Sequence, residues 1–245
     1  MLLNKLLILF TFVSIHFIGI SQKQFTIESS IDTIDFYDAI YDLQLKQDSV
    51  FYEDSLYLVR QTCSGEWGGS IWFKNKQTQI EYSCNATCPK SVNYYKGKYY
   101  VTTSLVHLVS SSEILEISQP DSMSVFEVSE MVATMRKHKI YSDGDFESIS
   151  RQGALTLVDT TGALIVASFV QNDKFYHIVR DYNHLYLSEI SNGKLSTIQK
   201  ISEESMFNTE LMKTEYGELV ILFNSKYSKG YLKIEDSKII LKRFK

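Results

Sequence analysis

Short β-hairpin patterns recur along this chain. In residues 190–195, Asn192 and Gly193 lie between two runs of alternating apolar residues. Asn-Gly suits the two-residue turn that joins antiparallel strands, because both residues tolerate a positive φ. Residues 95–99, 157–164 and 234–239 show similar turn formers between β-branched or aromatic side chains. The pattern predicts an all-β protein.

A strong apolar strand follows a turn at four places. These strands are predicted to begin near Leu56, Tyr99, Leu164 and Leu219, after turns at positions 54, 97, 162 and 217 that are 43, 65 and 55 residues apart. Propeller blades have four strands and repeat every 40–50 residues or so. We therefore predict a β-propeller-like fold of about five blades, some with insertions. A β-sandwich or an irregular meander is the alternative, since it also has short strands and frequent turns.

One strand pair carries a resemblance to known proteins. Residues 217–221 read Gly-Glu-Leu-Val-Ile, and residues 231–234 read Tyr-Leu-Lys-Ile before a further turn. This arrangement resembles the blades of exported bacterial β-propeller proteins, and similar strands cover about two thirds of the mature chain. The resemblance implies an architecture and no particular activity.

Residues 1–21 have the pattern of a cleavable secretory signal peptide. Lys5 precedes an apolar run over residues 6–20, and Gly19 and Ser21 place small residues before a cleavage site at Gln22. As a helix the run is about 22 Å long, short of the ~30 Å hydrocarbon core, so an uncleaved anchor is the less favoured alternative. We predict export to the periplasm, the cell surface or the medium. Residues 22–245 are then a single β-rich domain without a membrane span.

The charge of the mature chain limits the classes of partner that it can bind. Removing the leader takes away one lysine and no acidic residue, so the formal charge changes from −4 to −5. Proteins bind nucleic acids and anionic membranes through a basic surface, and an acidic chain lacks such a surface. We therefore predict no nucleic-acid partner. A hydrophobic content of 44% favours a packed core over disorder.

Two segments depart from the strand pattern. Asp32, Asp35, Asp38 and Asp42 are spaced by three, three and four residues, which predicts an acidic amphipathic helix over residues 31–45. The spacing of apolar residues in 129–139 predicts a second short helix, inserted between blades.

Three cysteines would meet an oxidising compartment. We predict one disulfide, and we favour Cys63 bonded to Cys84 or Cys88 over Cys84 bonded to Cys88. The longer bridge closes a loop of about 20–25 residues, worth about 3 kcal/mol in the chain-entropy model. A metal site of three thiolates and a histidine is the alternative, although the spacing lacks the paired C-x-x-C of zinc sites. We predict no metal and no cofactor.

The most unusual stretch is residues 63–72, which combines five glycine or serine positions with both tryptophans. Glu66, Trp67 and Trp72 are candidate binding residues, because a tryptophan face beside a carboxylate suits a sugar ring or a cation. The alternative is a tight corner with both tryptophans in the core. His107 is a fourth candidate, with a structural histidine as the alternative.

Two further groups of polar residues are candidate metal ligands. Asp143, Asp145 and Glu147 share one face of an extended segment and suit calcium, but they lack a full calcium loop and turns commonly carry such residues. His177 and His184 flank a turn, and the pairing expected there does not make them direct neighbours.

The chain shows no catalytic motif. Gly-x-Ser-x-Gly, His-Glu-x-x-His, the P-loop and Gly-x-Gly-x-x-Gly are all absent from the sequence. We predict a non-enzymatic binding or scaffold module for a glycan or a protein, with no catalytic residues. The alternative is a secreted glycan-acting hydrolase that uses Glu66 and loop aspartates, since such enzymes pair two carboxylates.

Export is directly testable. N-terminal sequencing of the protein made in its native host should begin at or near Gln22, because the small residues before it suit signal peptidase. Recovery of soluble cytoplasmic protein that starts at Met1 would contradict the prediction.

Overall fold

The protein is built mostly from β-strands. The computed structural model describes residues 25–46, 50–106, 109–126, 147–226 and 228–245. Within these residues nineteen strands form four sheets that are largely antiparallel. The all-β prediction is confirmed.

Each sheet contains four antiparallel strands, and the sheets follow one another along the chain. Sheet I comprises β3 (Tyr52–Glu53), β4 (Tyr57–Gln61), β5 (Ser70–Asn75) and β6 (Glu81–Asn85), with β10 (Ser124–Val125) added at the edge beside β6. Sheet II comprises β7 (Pro89–Tyr95), β8 (Lys98–Leu105), β9 (Ser111–Ile117) and β11 (Ala154–Thr161). Sheet III comprises β12 (Leu164–Gln171), β13 (Lys174–Arg180), β14 (Leu185–Ser191) and β15 (Lys194–Ser202). Sheet IV comprises β16 (Thr209–Thr214), β17 (Leu219–Asn224), β18 (Lys229–Glu235) and β19 (Lys238–Phe244).

The N-terminal segment wraps around sheet IV. β1 (Thr26–Asp32) pairs in parallel with β19, and β2 (Leu45–Lys46) pairs with β16 on the other edge. Between them, helix α1 (Phe36–Asp42) packs Phe36 and Ala39 against the sheet, beside Tyr231 and Phe244. Sheet IV thus gains a strand on each edge and a helix across one face.

Helix α1 is shorter than the sequence predicted. Asp32 belongs to β1, where its carboxylate accepts hydrogen bonds from the N–H groups of Thr33 and Ile34. Asp35 is the N-cap, because its Oδ1 accepts a 2.7 Å bond from the Tyr37 N–H. The acidic spacing therefore reflects a strand end and a cap rather than one long helical face. The helix predicted over 129–139 lies outside the described residues.

Neighbouring sheets share hydrophobic cores. One core joins sheets I and II, and includes Phe73 and Val101; another joins sheets III and IV, and includes Ile178 and Ile221. A smaller core joins sheets II and III. The buried residues of that smaller core are Ile114, Val158, Ile165 and Val179. Because burial of apolar area is the main stabilising contribution, the sheets depend on one another for stability.

Three of the four predicted hairpins are confirmed. They are closed by the pairs Tyr95 with Lys98, Ser191 with Lys194, and Glu235 with Lys238. The hairpin predicted over residues 157–164 is wrong, because β11 pairs with β9 whereas β12 pairs with β13 in the next sheet. Its Thr-Gly turn is a connection between sheets.

The predicted repeat is wrong, because the four strands do not occupy matching positions in successive sheets. The strands that begin near Leu56, Tyr99 and Leu219 are β4, β8 and β17, each the second strand of its sheet. The strand at Leu164 is β12, which comes first in sheet III. The described residues also form four sheets where about five blades were predicted.

A buried chain of hydroxyl groups ends on a histidine between sheets II and III. The Thr102 hydroxyl donates to the Ser168 hydroxyl at 2.7 Å, and Ser168 lies 2.8 Å from Nδ1 of His177. His177 is fully buried, and burial lowers the pKa of its imidazole from 6.5 to about 3. The folded protein therefore holds this histidine neutral.

This histidine makes the fold sensitive to acid. Because the folded pKa is depressed, the unfolded chain binds the proton first, so stability is complete above pH 6.5 and falls as the pH drops toward 3. The loss expected from this group is about 2 kcal/mol at pH 5. Chemical denaturation of the His177→Gln variant should show a flatter dependence of unfolding free energy on pH between 6.5 and 4.5. His184→Gln is the control, and equal slopes in the two variants would contradict the account.

Candidate functional site

The first strands of successive sheets line one large cavity. Its volume is about 1550 Å³, and its walls include residues of β3, β7, β12 and β16. Representative lining residues from these strands are Glu53, Asn93, Gln171 and Glu210. A concave space that several elements share is the usual form of a ligand site.

The cavity wall mixes aromatic and polar groups. Tyr94 lies in the wall, and about half of its side chain is exposed. Three of the lining carboxylates are already paired, since Lys233 lies 3.2 Å from Glu218 and 3.0 Å from Glu235, and Lys76 lies 2.5 Å from Glu53. A wall of this kind offers ring faces and hydrogen-bonding groups with little concentrated charge of either sign.

A network of tyrosines fixes the aromatic part of the wall. Tyr99 donates its hydroxyl proton to Asp54 at 2.7 Å, and Tyr52 donates to the same oxygen at 3.3 Å. Burial, followed by these contacts, raises the pKa of Tyr52 to about 12 and raises that of Tyr99 further. Although burial opposes it, hydrogen bonding to Asp54 lowers the pKa of that carboxyl. The ring of Tyr94 packs 4.9 Å from that of Tyr99, which holds Tyr94 in the wall.

A second feature is the loop between β4 and β5, which presents Trp67. A disulfide joins Cys63 in this loop to Cys88, just before β7. The pairing of Cys63 with a distant cysteine is therefore confirmed, and Cys88 is the partner. Trp67 ends a short 3₁₀ turn (Gly65–Trp67), and 80% of its surface is exposed.

Glu147 holds the same loop from the other side. Its carboxylate accepts hydrogen bonds from the hydroxyls of Thr62 at 2.6 Å, Ser64 at 2.9 Å and Ser70 at 2.6 Å. Ser70 also accepts a bond from the Ser148 N–H at 2.7 Å. Hydrogen bonds to a charged acceptor are stronger than neutral ones, so this carboxylate makes the loop rigid.

Gly69 is required where the loop meets β6. A Cβ added there would lie 2.6 Å from the carbonyl oxygen of Thr62 and 2.8 Å from that of Ala86. Both contacts are with backbone, which cannot move aside easily. The glycine content of the stretch thus serves close packing at this point.

The structure separates the predicted binding residues that it describes. Trp67 and Glu66 are exposed on the loop, outside the cavity wall. Trp72 is fully buried in β5, with the Arg60 guanidinium 4.0 Å from its ring centroid, so that face of the indole is covered. His107 lies outside the described residues.

Cys84, the third cysteine, is buried and forms no disulfide. Burial raises the pKa of the Cys84 thiol to about 12, so it stays protonated. Since two of the three thiols form a disulfide, the alternative of a metal bound by three thiolates is wrong. Among the described residues, no group of three or more His, Cys, Asp or Glu side chains is placed to hold a metal ion. Asp143 and Asp145 lie outside those residues.

Comparisons with known proteins add no relative. No protein-family model, curated protein or solved structure matches the chain. Across the part of the chain that the structure describes, no helix is long and apolar enough to cross a membrane.

Two parts of the site had no signal in the sequence. The cavity combines strands that are distant along the chain. The hydrogen bonds from Thr62, Ser64 and Ser70 to Glu147, which we call the Glu147 clamp, join residues 77 to 85 positions apart. The sequence around Glu147 indicates a calcium site, whereas in the structure its carboxylate binds the hydroxyls of Thr62, Ser64 and Ser70. Contacts at such separations require knowledge of the fold.

The Glu147 clamp can be tested by substitution. Glu147→Ala should lower the free energy of unfolding by about 2 kcal/mol, because three hydroxyls lose a charged acceptor. Urea unfolding measures this change, and Glu215→Ala, which alters an exposed turn, is the control. Equal stabilities of the two variants would show that the clamp contributes nothing.

Proposed function

We propose that this protein is an exported, non-enzymatic binding module whose ligand occupies the central cavity. The observation that carries the proposal is the cavity itself, because successive sheets each contribute a first strand to one wall. A binding role needs such a preformed space and a few oriented polar groups, and no covalent chemistry.

The proposed architecture is propeller-like. Each sheet begins at the cavity and continues outward as an antiparallel meander, which is how propeller blades surround a channel. β12 supports this arrangement, since it contacts β7 and β8 of sheet II and also β16 of sheet IV. Six consecutive residues of β12 are buried, as expected for a strand covered on both faces.

The proposed ligand is a glycan or a peptide segment of a protein. Exposed tyrosine rings stack well on sugar rings and on apolar side chains, and the carboxamides of Asn93 and Gln171 add polar contacts on two neighbouring strands. The mature chain is acidic, which disfavours strongly anionic ligands. The hydrolase alternative stays a prediction, and its proposed carboxylate Glu66 lies outside the cavity wall.

A binding array tests the proposal. The exported protein is applied to glycan and peptide arrays, and the best ligand is then titrated by calorimetry. Tyr94→Ser should weaken binding by about tenfold or more. The reason is that losing one stacked aromatic ring removes about 1.4 kcal/mol or more of the binding free energy. Tyr41→Ser is the matched control, because Tyr41 is an exposed tyrosine on α1 outside the cavity wall.

The outcomes separate the possibilities. Equal affinity of both variants would place the ligand elsewhere and would contradict the proposal. Release of shortened glycan products during the titration would instead support the hydrolase.

A further inference from the structure

Three of the strands that line the cavity lie at the edge of a sheet. β7 and β12 are the edge strands of sheets II and III, and β16 has only the two-residue strand β2 beyond it in sheet IV. An edge strand pairs its N–H and C=O groups on one side only, so the groups on its other side remain available. Such groups can bind the main chain of a further strand.

These strands present an edge, rather than a face, to the cavity. Successive side chains of a strand point to opposite faces, so a strand that turned one face to the cavity would contribute alternate residues to its wall. β7 instead contributes five consecutive residues, 90–94, and β16 contributes residues 210–213. The wall is therefore formed by the edges of these strands.

The contacts of β7 show the same orientation. On one face, the ring of Tyr94 packs 4.9 Å from that of Tyr99, which belongs to the core shared with sheet I. On the other face, Nδ2 of Asn93 donates a 3.1 Å hydrogen bond to the carbonyl oxygen of Ser168 in sheet III. With sheets on both faces and β8 along one edge, the opposite edge of β7 meets the cavity. We call it the free edge of β7.

The hairpin register identifies the backbone groups on this edge. Tyr95 and Lys98 close a two-residue turn, and the closing pair of such a turn exchanges hydrogen bonds. Hydrogen-bonded and non-hydrogen-bonded pairs then alternate along an antiparallel ladder. Val92 and Tyr94 belong to non-hydrogen-bonded pairs, so their N–H and C=O groups point away from β8 and lie on the free edge.

The same rule can be checked on β12, where a partner is present. Gln171 and Lys174 close another two-residue turn, which makes Ser168 and His177 a non-hydrogen-bonded pair. The Ser168 carbonyl should then point away from β13. It does, because it accepts the hydrogen bond from the Asn93 side chain.

The free edge of β7 has no such partner among the described residues. None of them pairs with the backbone N–H or C=O groups of Val92 or Tyr94 on this side. The cavity beside the edge has a volume of about 1550 Å³. Because paired strands lie only about 4.8 Å apart, this space can hold an added strand.

A segment of this chain already binds a cavity strand in this way. β2 pairs antiparallel with β16, with Lys46 opposite Lys213 and Leu45 opposite Thr214. Leu45, Lys46 and Lys213 all line the cavity. An edge strand of this wall therefore accepts a strand from the cavity side.

We propose that the ligand of the cavity is an extended peptide segment that pairs as an added strand with the free edge of β7. Its main chain bonds to the N–H and C=O groups of Val92 and Tyr94, and its alternate side chains contact the surrounding walls. This inference rests on the proposed function and narrows the ligand to a peptide in strand conformation. A glycan lacks the regular N–H and C=O spacing that matches backbone groups two residues apart.

N-methylation of a bound peptide tests the strand geometry. The probe is the tightest-binding short peptide from the array, synthesised in versions that each carry one N-methyl group, which removes one N–H donor and keeps every side chain. The N–H groups of an added strand point alternately toward β7 and away from it. Affinity should therefore fall by about tenfold or more at every second position of the paired stretch, and by less than about twofold at the positions between.

Amide hydrogen exchange, measured by NMR, tests the same contact on the protein. The amides of Val92 and Tyr94 should exchange at least about tenfold more slowly once the peptide is bound, because they gain hydrogen-bond partners. The amide of Asn93 is the matched internal control. It pairs with Tyr100 of β8 whether or not the peptide is present, so its exchange should change little. Both measurements use the unsubstituted protein.

The outcomes separate this inference from the proposed function. N-methyl effects without a period of two, or equal slowing of exchange at Asn93 and Tyr94, would overturn the added strand, while a peptide weakened by Tyr94→Ser would still support a cavity ligand. Binding of glycans alone, weakened by the same substitution, would overturn the peptide and leave the proposed function intact. Equal affinity of the Tyr94→Ser and Tyr41→Ser variants would overturn both proposals.

Discussion

The packing of each sheet against the next is the interaction on which the rest of the structure depends. A four-stranded meander has two faces, and apolar residues on these faces are covered by the neighbouring sheets and, on sheet IV, also by helix α1. Phe73 of sheet I and Val101 of sheet II share one core, while Ile178 of sheet III and Ile221 of sheet IV share another. The cavity follows from this arrangement, because sheets that pack side by side bring their first strands together.

Local turn chemistry was readable from the sequence, whereas strand pairing between sheets was not. The turn at Asn192 and Gly193 was recognised because its positive φ values demand those residue types. The stretch around Gly162 looks alike in sequence, and yet it connects two sheets. The two turns differ in the pairing of the strand that precedes them. β11 pairs with β9, from which a long insertion separates it along the chain, and not with the strand that follows the turn. That difference shifted the predicted repeat at Leu164.

The candidate site likewise has some features that were predictable from the sequence and others that were not. The disulfide was predictable, since a chain with three cysteines and a predicted leader has few pairings and the longer loop stabilises more. The fates of Trp67 and Trp72 were not predictable, although the two lie five residues apart in one stretch. Trp72 points inward from β5 beneath Arg60, whereas Trp67 ends a turn held by Glu147 from a distant segment. Burial of a side chain depends on neighbours that lie far away along the chain, and the local sequence does not identify them.

The central claim is that strands from all four sheets form one binding surface. Amide chemical-shift mapping by NMR, with the ligand selected on the arrays, tests it most directly. The account predicts that the perturbed amides cluster near Glu53, Asn93, Gln171 and Glu210, one on or beside the first strand of each sheet. Perturbations confined to a single sheet, or to the loop that carries Trp67, would contradict it.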